Sequence, residues 1–294
     1  MLELCVALGL VLALSTGAVG AERLQNHGKP FIACETYSIR DYLGSGKIEL
    51  VQVPSLLKES GIQGVVWNDM FFKSWDKPYL DKLKKAAAQN GIITAGLIME
   101  GDLAGDDERE RKKQIEDDKM KLKAAAYLGC PVVRINIGGT GDDEKDGTVG
   151  VQRVIGAFKE ILPLAKELGV KITIENHGGV SRKADWILAV IKGTDPKWVG
   201  SCLDFGNWPA DVRHTESQKL AAYAYHVHAK THNFRPDGEE ADVDYGPLLK
   251  MLKDAGYKRA VSIEFEGPGD QVEGVKKTRD LLLKHWPELG GKAK

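Results

Sequence analysis

Short apolar runs bounded by turn residues recur along the chain and alternate with amphipathic stretches of helical length. Residues 31–38, 64–67, 92–98, 131–137, 171–175, 198–204, 225–231 and 259–264 read as strands. They are short and β-branched, the pattern of strands buried on both faces. Between them, residues 51–60, 79–89, 106–128, 151–169, 184–191, 216–223, 245–256 and 272–285 read as helices. The second helix shows the logic. Leu80, Leu83, Ala86 and Ala87 fall on one side, lysines on the other, and Gly91 stops it. Residues 106–128 mix acids and bases, the mark of a solvated outer face. Residues 138–147 read as a polar loop.

Strict alternation of strand and helix implies parallel strands joined by right-handed crossovers. Eight such units favour a single closed (β/α)8 TIM barrel over an open doubly wound sheet. No GxGxxG follows the first strand and no GxxxxGK[ST] occurs, so nucleotide binding has no support. The N-terminus differs in kind. Residues 4–14 (LCVALGLVLAL) are uncharged and apolar, small residues run to Ala21, and Glu22-Arg23 follow. That is the length of a signal-peptide core and too short to span a bilayer comfortably. The segment before it carries Glu3 and no Lys or Arg. The expected organisation is a signal peptide over 1–21, a barrel over 22–294, export to the periplasm or medium, and no membrane span after cleavage. A buried N-terminal helix or an uncleaved anchor is the other reading.

Composition changes this picture little. Of 294 residues, 43% are hydrophobic and 28% charged, ordinary for a globular chain, and the formal net charge of -1 provides no field for nucleic acid or an anionic membrane. Cys5 lies in the leader. Cys34, Cys130 and Cys202 form no CxxC motif, and Cys130 and Cys202, at or inside apolar runs, read as buried free thiols. Nothing in the sequence sets an oligomeric state.

The chemistry lies at strand ends. In 225–231, His226, His228 and Lys230 alternate with Tyr225, Val227 and Ala229, so two imidazoles and an ammonium share one face. Three other strands end in an acid: Glu175 in KITIENHGG, Asp204 in VGSCLDFGN and Glu264 in AVSIEFEG. The parity agrees in each case. Thr173, Glu175 and His177 share a face, as do Cys202 and Asp204, and Ser262, Glu264 and Glu266. A barrel gathers such ends at its C-terminal mouth. Glu175, Asp204, His228 and Glu264 there would form an oxygen-rich site for one divalent metal, Mn²⁺ first, with Mg²⁺ and Co²⁺ also fitting. Singly, each has another reading: Glu175 as a helix cap, Asp204 in an Asx turn, His228 as a core histidine, Glu264 as a rim charge.

The motifs IENHGG (174–179), CLDFGN (202–207), HVHAK (226–230) and DYGPLLKMLKDAGYKRAVSIEFEG (244–267) resemble the xylose isomerase-like barrel superfamily, in its sugar phosphate isomerase/epimerase branch. The resemblance spans roughly 31–285 and is weakest before the fourth strand. It implies that Glu175, Asp204, His228 and Glu264 bind one divalent metal and that Glu175 and Glu264 flank the reacting carbon of a ketose. A metal that chelates a carbonyl and its neighbouring hydroxyl acidifies the C–H between them, so two carboxylates can remove and return the proton. Lys230 is the candidate to stabilise the oxyanion. His177, Arg134 and Asn207 are candidates for substrate contact, with Trp208 and Phe234 as an apolar wall for the sugar. Asn207 stands where epimerases of this group often carry a His. The reading is a metal-dependent sugar isomerase or epimerase acting through an enediolate on an unphosphorylated sugar or keto-sugar. The alternatives are a lyase that eliminates the aglycone of a 3-keto-glycoside, an AP-site endonuclease on the same fold, which needs more ligands and a basic groove, and a non-catalytic carbohydrate-binding barrel.

Overall fold

A computed structural model describes residues 28–291. The leader expected over 1–21 lies outside them. Eight parallel strands close into a barrel in sequence order, with β1 (Phe31–Glu35) hydrogen-bonded to both β2 (Gly64–Asn68) and β8 (Ala260–Phe265). Between them run β3 (Ile93–Met99), β4 (Val132–Ile135), β5 (Lys171–Glu175), β6 (Val199–Asp204) and β7 (Ala224–Thr231). A principal helix follows each strand in turn: α1 (Val53–Glu59), α2 (Lys77–Asn90), α3 (Glu108–Leu128), α4 (Val151–Leu168), α5 (Ala184–Gly193), α6 (Ala210–Leu220), α7 (Tyr245–Asp254) and α8 (Gln271–His285).

Local chemistry sets several boundaries. Asp76, Asp107 and Asp270 each accept hydrogen bonds from the first-turn amides of α2, α3 and α8, satisfying donors that have no partner within the helix. α4 buries Val151, Val154, Phe158, Ile161 and Ala165 along one stripe against the barrel and ends at Gly169, whose φ of 71° suits a residue without a Cβ. Two sequence boundaries shift. The first strand stops at Glu35, where Thr36–Ile39 tightens into a 3-10 turn. The helix expected over 216–223 begins at Ala210, since Pro209 fits just before a first turn, and gives way to a 3-10 turn at Ala221–Tyr223. The polar loop after β4 contains a short helix, Asp143–Lys145, and a wide helical turn, Asp146–Gly150, that leads into α4.

The main apolar core lies between strands and helices. A smaller cluster of Phe31, Ala33, Val66, Ala95, Ile98 and Ala260 occupies the interior on the β1–β3 side. The β4–β8 side of the interior is polar instead, with Arg134, Thr173, Cys202, His226 and Ser262 all buried. This division leaves one side of the barrel to packing and the other to the site. A cavity of about 360 Å³ opens at the N-terminal end, beside Phe31, Val132, His226 and Ala260 with Lys84 and Arg259 nearby; none of Glu175, Asp204, His228 and Glu264 lines it. Cys34, Cys130 and Cys202 are buried free thiols. Among the described residues, no helix is long and apolar enough to cross a membrane.

Candidate functional site

Strand register brings the chemistry together. Asp204 pairs with His228 across β6 and β7, and Lys230 pairs with Glu264 across β7 and β8. Glu175, Asp204, His228 and Glu264 each offer a ligand atom, all within 4.8 Å of one another. The four are 4%, 0%, 1% and 6% exposed, so their charges are out of bulk water and must be answered locally.

Each of the four candidate ligands is held by a different device. Asp204 Oδ1 accepts the backbone N–H groups of Gly206 at 2.8 Å and Asn207 at 2.6 Å, leaving Oδ2 buried without a partner. The Asx turn is therefore present, and it fixes one oxygen while the other faces the cluster. Asn176 clips β5 to β6 here: its Oδ1 accepts the Asp204 N–H at 2.8 Å and its Nδ2 donates to the Asp204 carbonyl at 3.0 Å. Glu175 Oε2 meets the Arg134 guanidinium at 2.7 Å, and Glu175 Oε1 lies 2.9 Å from His228 Nδ1. His228 Nδ1 also lies 3.1 Å from Glu264 Oε2, an oxygen without a hydrogen bond of its own.

The electrostatics follow from burial and crowding. Burial raises the Asp204 carboxyl well above its usual range, helped by Glu264 and Glu175 and opposed by Lys230. Burial alone would raise Glu175 too, but Arg134 and His228 outweigh it and hold it at about 2. Glu264 is likewise depressed, with burial overcome by Lys230 and His228. Burial would lower His228, yet its neighbours Cys202, Glu175 and Glu264 hold it well above its usual value. Three buried carboxyl groups crowded around one imidazole is an arrangement that a divalent cation suits. The unpartnered Asp204 Oδ2 and Glu264 Oε2, and the hard oxygen-rich donor set, fit such a cation.

Lys230 sits at the edge of the cluster. Its ammonium lies 3.3 Å from Glu264 and 2.8 Å from Glu266, and donates to Asn207 Oδ1 at 3.0 Å. Burial opposes its charge, but Asp204, Glu264, Glu175 and Glu266 keep it firmly protonated. Gly206 makes room for it, since a Cβ there would fall 2.9 Å from Lys230 Cγ.

The remaining candidates are distributed unevenly. Arg134 is buried against Glu175 and also pairs with Glu100 at 2.9 Å, so its reach is spent on carboxylates. Asn207 lies beside Lys230, with its Nδ2 buried and unpartnered. His177 is exposed past the end of β5, its backbone N–H bonded to Ser181 Oγ. Trp208 is buried within the main apolar core. Phe234 stacks on Phe265, 6.4 Å between ring centres, under Lys277 of α8. Phe265 follows Glu264 and so occupies the opposite face of β8, which draws Phe234 toward α8 instead of over the cluster.

Three residues that the sequence reading passed over belong to the site. Glu35, at the end of β1, is buried and lies 3.8 Å from His228 Nε2. Its signal was available, because FIACE is another apolar run that ends in an acid. Asn176 and Glu100 act through the Asp204 backbone and through Arg134, contacts that no local pattern announces.

The chain belongs to the xylose isomerase-like TIM barrel family, whose profile matches residues 54–285. It is 25% identical over 189 residues to an uncharacterized protein, MJ1311, of Methanocaldococcus jannaschii, covering 60% of this chain and 64%, less than two thirds, of that one. It is 21% identical to the C-glycoside deglycosidase alpha subunit of Microbacterium trichothecenolyticum, covering 71% of this chain and 72% of that protein. Two solved structures share the fold. A zinc-bound IOLI protein superposes with a TM-score of 0.70 at 16% identity, over 89% of this chain and all of the other. The 3-keto-D-glucoside 4-epimerase of E. coli superposes with a TM-score of 0.68 at 14% identity, over 87% and 99%.

Proposed function

We propose that the protein is a divalent-metal-dependent isomerase or epimerase of an unphosphorylated sugar or keto-sugar, acting through an enediolate. The observation that carries this reading is the convergence of Glu175, Asp204, His228 and Glu264 within 4.8 Å, with Lys230 beside Glu264. Those four residues would hold the cation, with Mn²⁺ suiting the oxygen-rich set. When bound, it supplies Lewis-acid polarisation of a substrate carbonyl, which acidifies the adjoining C–H.

The chain's own groups do the rest. Glu264, through the carboxylate oxygen not given to the cation, takes the proton from the acidified carbon. Glu175, on β5, returns a proton to the other face, inverting the centre. Its two oxygens are held by Arg134 and His228, which fixes its direction. The Lys230 ammonium stabilises the oxygen on which negative charge develops, and Asn207 holds Lys230 in place. A phosphorylated sugar is disfavoured because the cations here are already paired, Arg134 with Glu175 and Glu100, and Lys230 with Glu264 and Glu266.

A second reading is favoured by the likeness to a deglycosidase subunit and by Asn207. In a 3-keto-glycoside the proton leaves C2, the C–H electrons form the enolate double bond, and that enolate expels the aglycone from C1. The aglycone oxygen or carbon then takes up a proton. Asn207 cannot supply that proton, whereas the exposed His177 or a water can. The test is product analysis by NMR after incubating Mn²⁺-loaded protein with a ketohexose and with a 3-keto-glucoside. A new epimer or isomer supports the leading reading, and released aglycone with an unsaturated keto-sugar supports the second. Turnover unchanged after complete chelation would contradict both.

A further inference from the structure

Glu35 is a buried carboxylate that the proposed chemistry does not use. β1 delivers it to the same end of the barrel as the metal cluster. Its Oε1 accepts from Asn68 Nδ2 at 2.9 Å, and the Asn68 backbone N–H is itself bound to Thr36 Oγ1 at 2.9 Å, so the carboxylate cannot swing freely. Its Oε2 has no hydrogen-bond partner. Facing it at 3.8 Å is His228 Nε2, which is also buried and also without one. An orphaned acceptor and an orphaned donor therefore confront each other inside the barrel, where leaving either unmade is costly.

The other ring nitrogen completes the argument. His228 Nδ1 faces Glu175 Oε1 and Glu264 Oε2, in the cluster. An imidazole that gives its Nδ1 lone pair to a cation carries its proton on Nε2. A carboxylate that accepts that N–H fixes the tautomer, fixes the ring orientation and makes the ligand nitrogen more basic. We infer that Glu35 is the positioning residue for His228, holding the Nε2–H tautomer so that Nδ1 is presented to the metal. This rests on the metal reading given under Proposed function. It also tells against a second cation held by Cys202, His226 and His228, whose ligand atoms cluster too. His226 Nε2 is engaged by Ser262 Oγ at 2.9 Å, and the other nitrogen of His228 faces Glu35 Oε2 at 3.8 Å.

The test compares Mn²⁺ affinity in wild type, Glu35→Gln and Glu35→Leu by calorimetric titration. Wild type should take up one Mn²⁺, Glu35→Leu should bind it about 10- to 100-fold more weakly, and Glu35→Gln, whose amide oxygen can accept the same hydrogen bond without charge, should fall between. In Zn²⁺-loaded protein with ¹⁵N-labelled histidine, the His228 Nε2–H signal should be sharp in wild type and weakened or exchange-broadened in the variants. A purely structural role would lower Tm and leave affinity and tautomer unchanged. If Glu35→Leu fails to fold, Glu35→Gln carries the test alone. Variant affinities within twofold of wild type would overturn this inference and leave the metal reading standing. A wild type that takes up no Mn²⁺ would overturn the metal reading, and this inference with it.

Discussion

The two oxygens of Asp204 have different duties, and a single substitution separates them. Oδ1 is tied to the Gly206 and Asn207 amides, and Oδ2 faces the cluster unpartnered. Asp204→Asn preserves the turn through its amide oxygen but replaces an anionic ligand with an NH₂ group. Metal content measured by mass spectrometry of the purified protein should fall at least about tenfold, with Tm nearly unchanged; full metal content in the variant would remove Asp204 from the ligand set. Arg134 makes the opposite case. Arg134→Met leaves the Glu175 carboxylate buried without its guanidinium, a loss of about 3–5 kcal/mol in urea unfolding. A loss under about 1 kcal/mol would mean that Glu175 finds its answer elsewhere. The convergence of Glu175, Asp204, His228 and Glu264 was legible in the sequence because alternation along a strand fixes which side chains share a face. Glu35 carried the same mark and was hidden by the Thr36–Ile39 turn, which made the first strand look longer than it is. Arg134 was visible, but its partners were not, because Glu100 follows β3 and Glu175 ends β5, the strands on either side.

Among the elements, the strand ends do more than carry the candidate ligands; they are clipped to one another. Asn176 bonds both the N–H and the carbonyl of Asp204 and so sets the height of β6 against β5. Asn176→Leu would orphan both groups in a buried place, a destabilisation of about 2–4 kcal/mol, and metal uptake should weaken as well. Unfolding and metal titration of the same preparation check both effects, and unchanged affinity would show that β6 keeps its height without the clip. The glycine of CLDFGN has a similar purpose, since Gly206→Ala would push on the stem of Lys230. Element types and order could be read from hydrophobic periodicity and from stops such as Gly91 and Gly169. Boundaries were harder wherever the chain used 3-10 turns, as at Ala221–Tyr223, because the helical pattern continues through them. The inward packing of Trp208 and the stacking of Phe234 on Phe265 depend on which face of a neighbouring strand is free, which no single segment records.

At the scale of the whole molecule, the site imposes a pH dependence on the metal-free protein. Glu35 is raised from 4.5 to about 8, first by burial and then by Glu264. Across that window the folded state retains a proton that the unfolded state has released, so stability falls as pH rises. Asp204 works in the same direction. The stability contributed by the raised His228 is complete below its unfolded value and is also lost as pH rises through its folded one. Glu175, held at about 2, stabilises above its unfolded value and loses that contribution only as pH falls toward 2. Chelated protein should therefore melt at progressively lower temperature between about pH 5 and 9, and Mn²⁺ should restore most at the alkaline end, where ligands need lose no proton to bind it. A Tm that rises with pH in the chelated protein would contradict this. The export expectation is checked at the same scale: mature protein recovered from the cell envelope should begin near Glu22, and an intact Met1 in the cytoplasm would refute it. The central claim is that these strand ends activate a C–H beside a sugar carbonyl. The measurement that tests it most directly is solvent deuterium exchange into a 3-keto-glucoside or ketohexose, followed by NMR in D₂O. Metal-loaded wild type should exchange the hydrogen next to the carbonyl, and chelated wild type and Glu264→Gln should not; no exchange in fully loaded wild type with bound sugar would contradict the account.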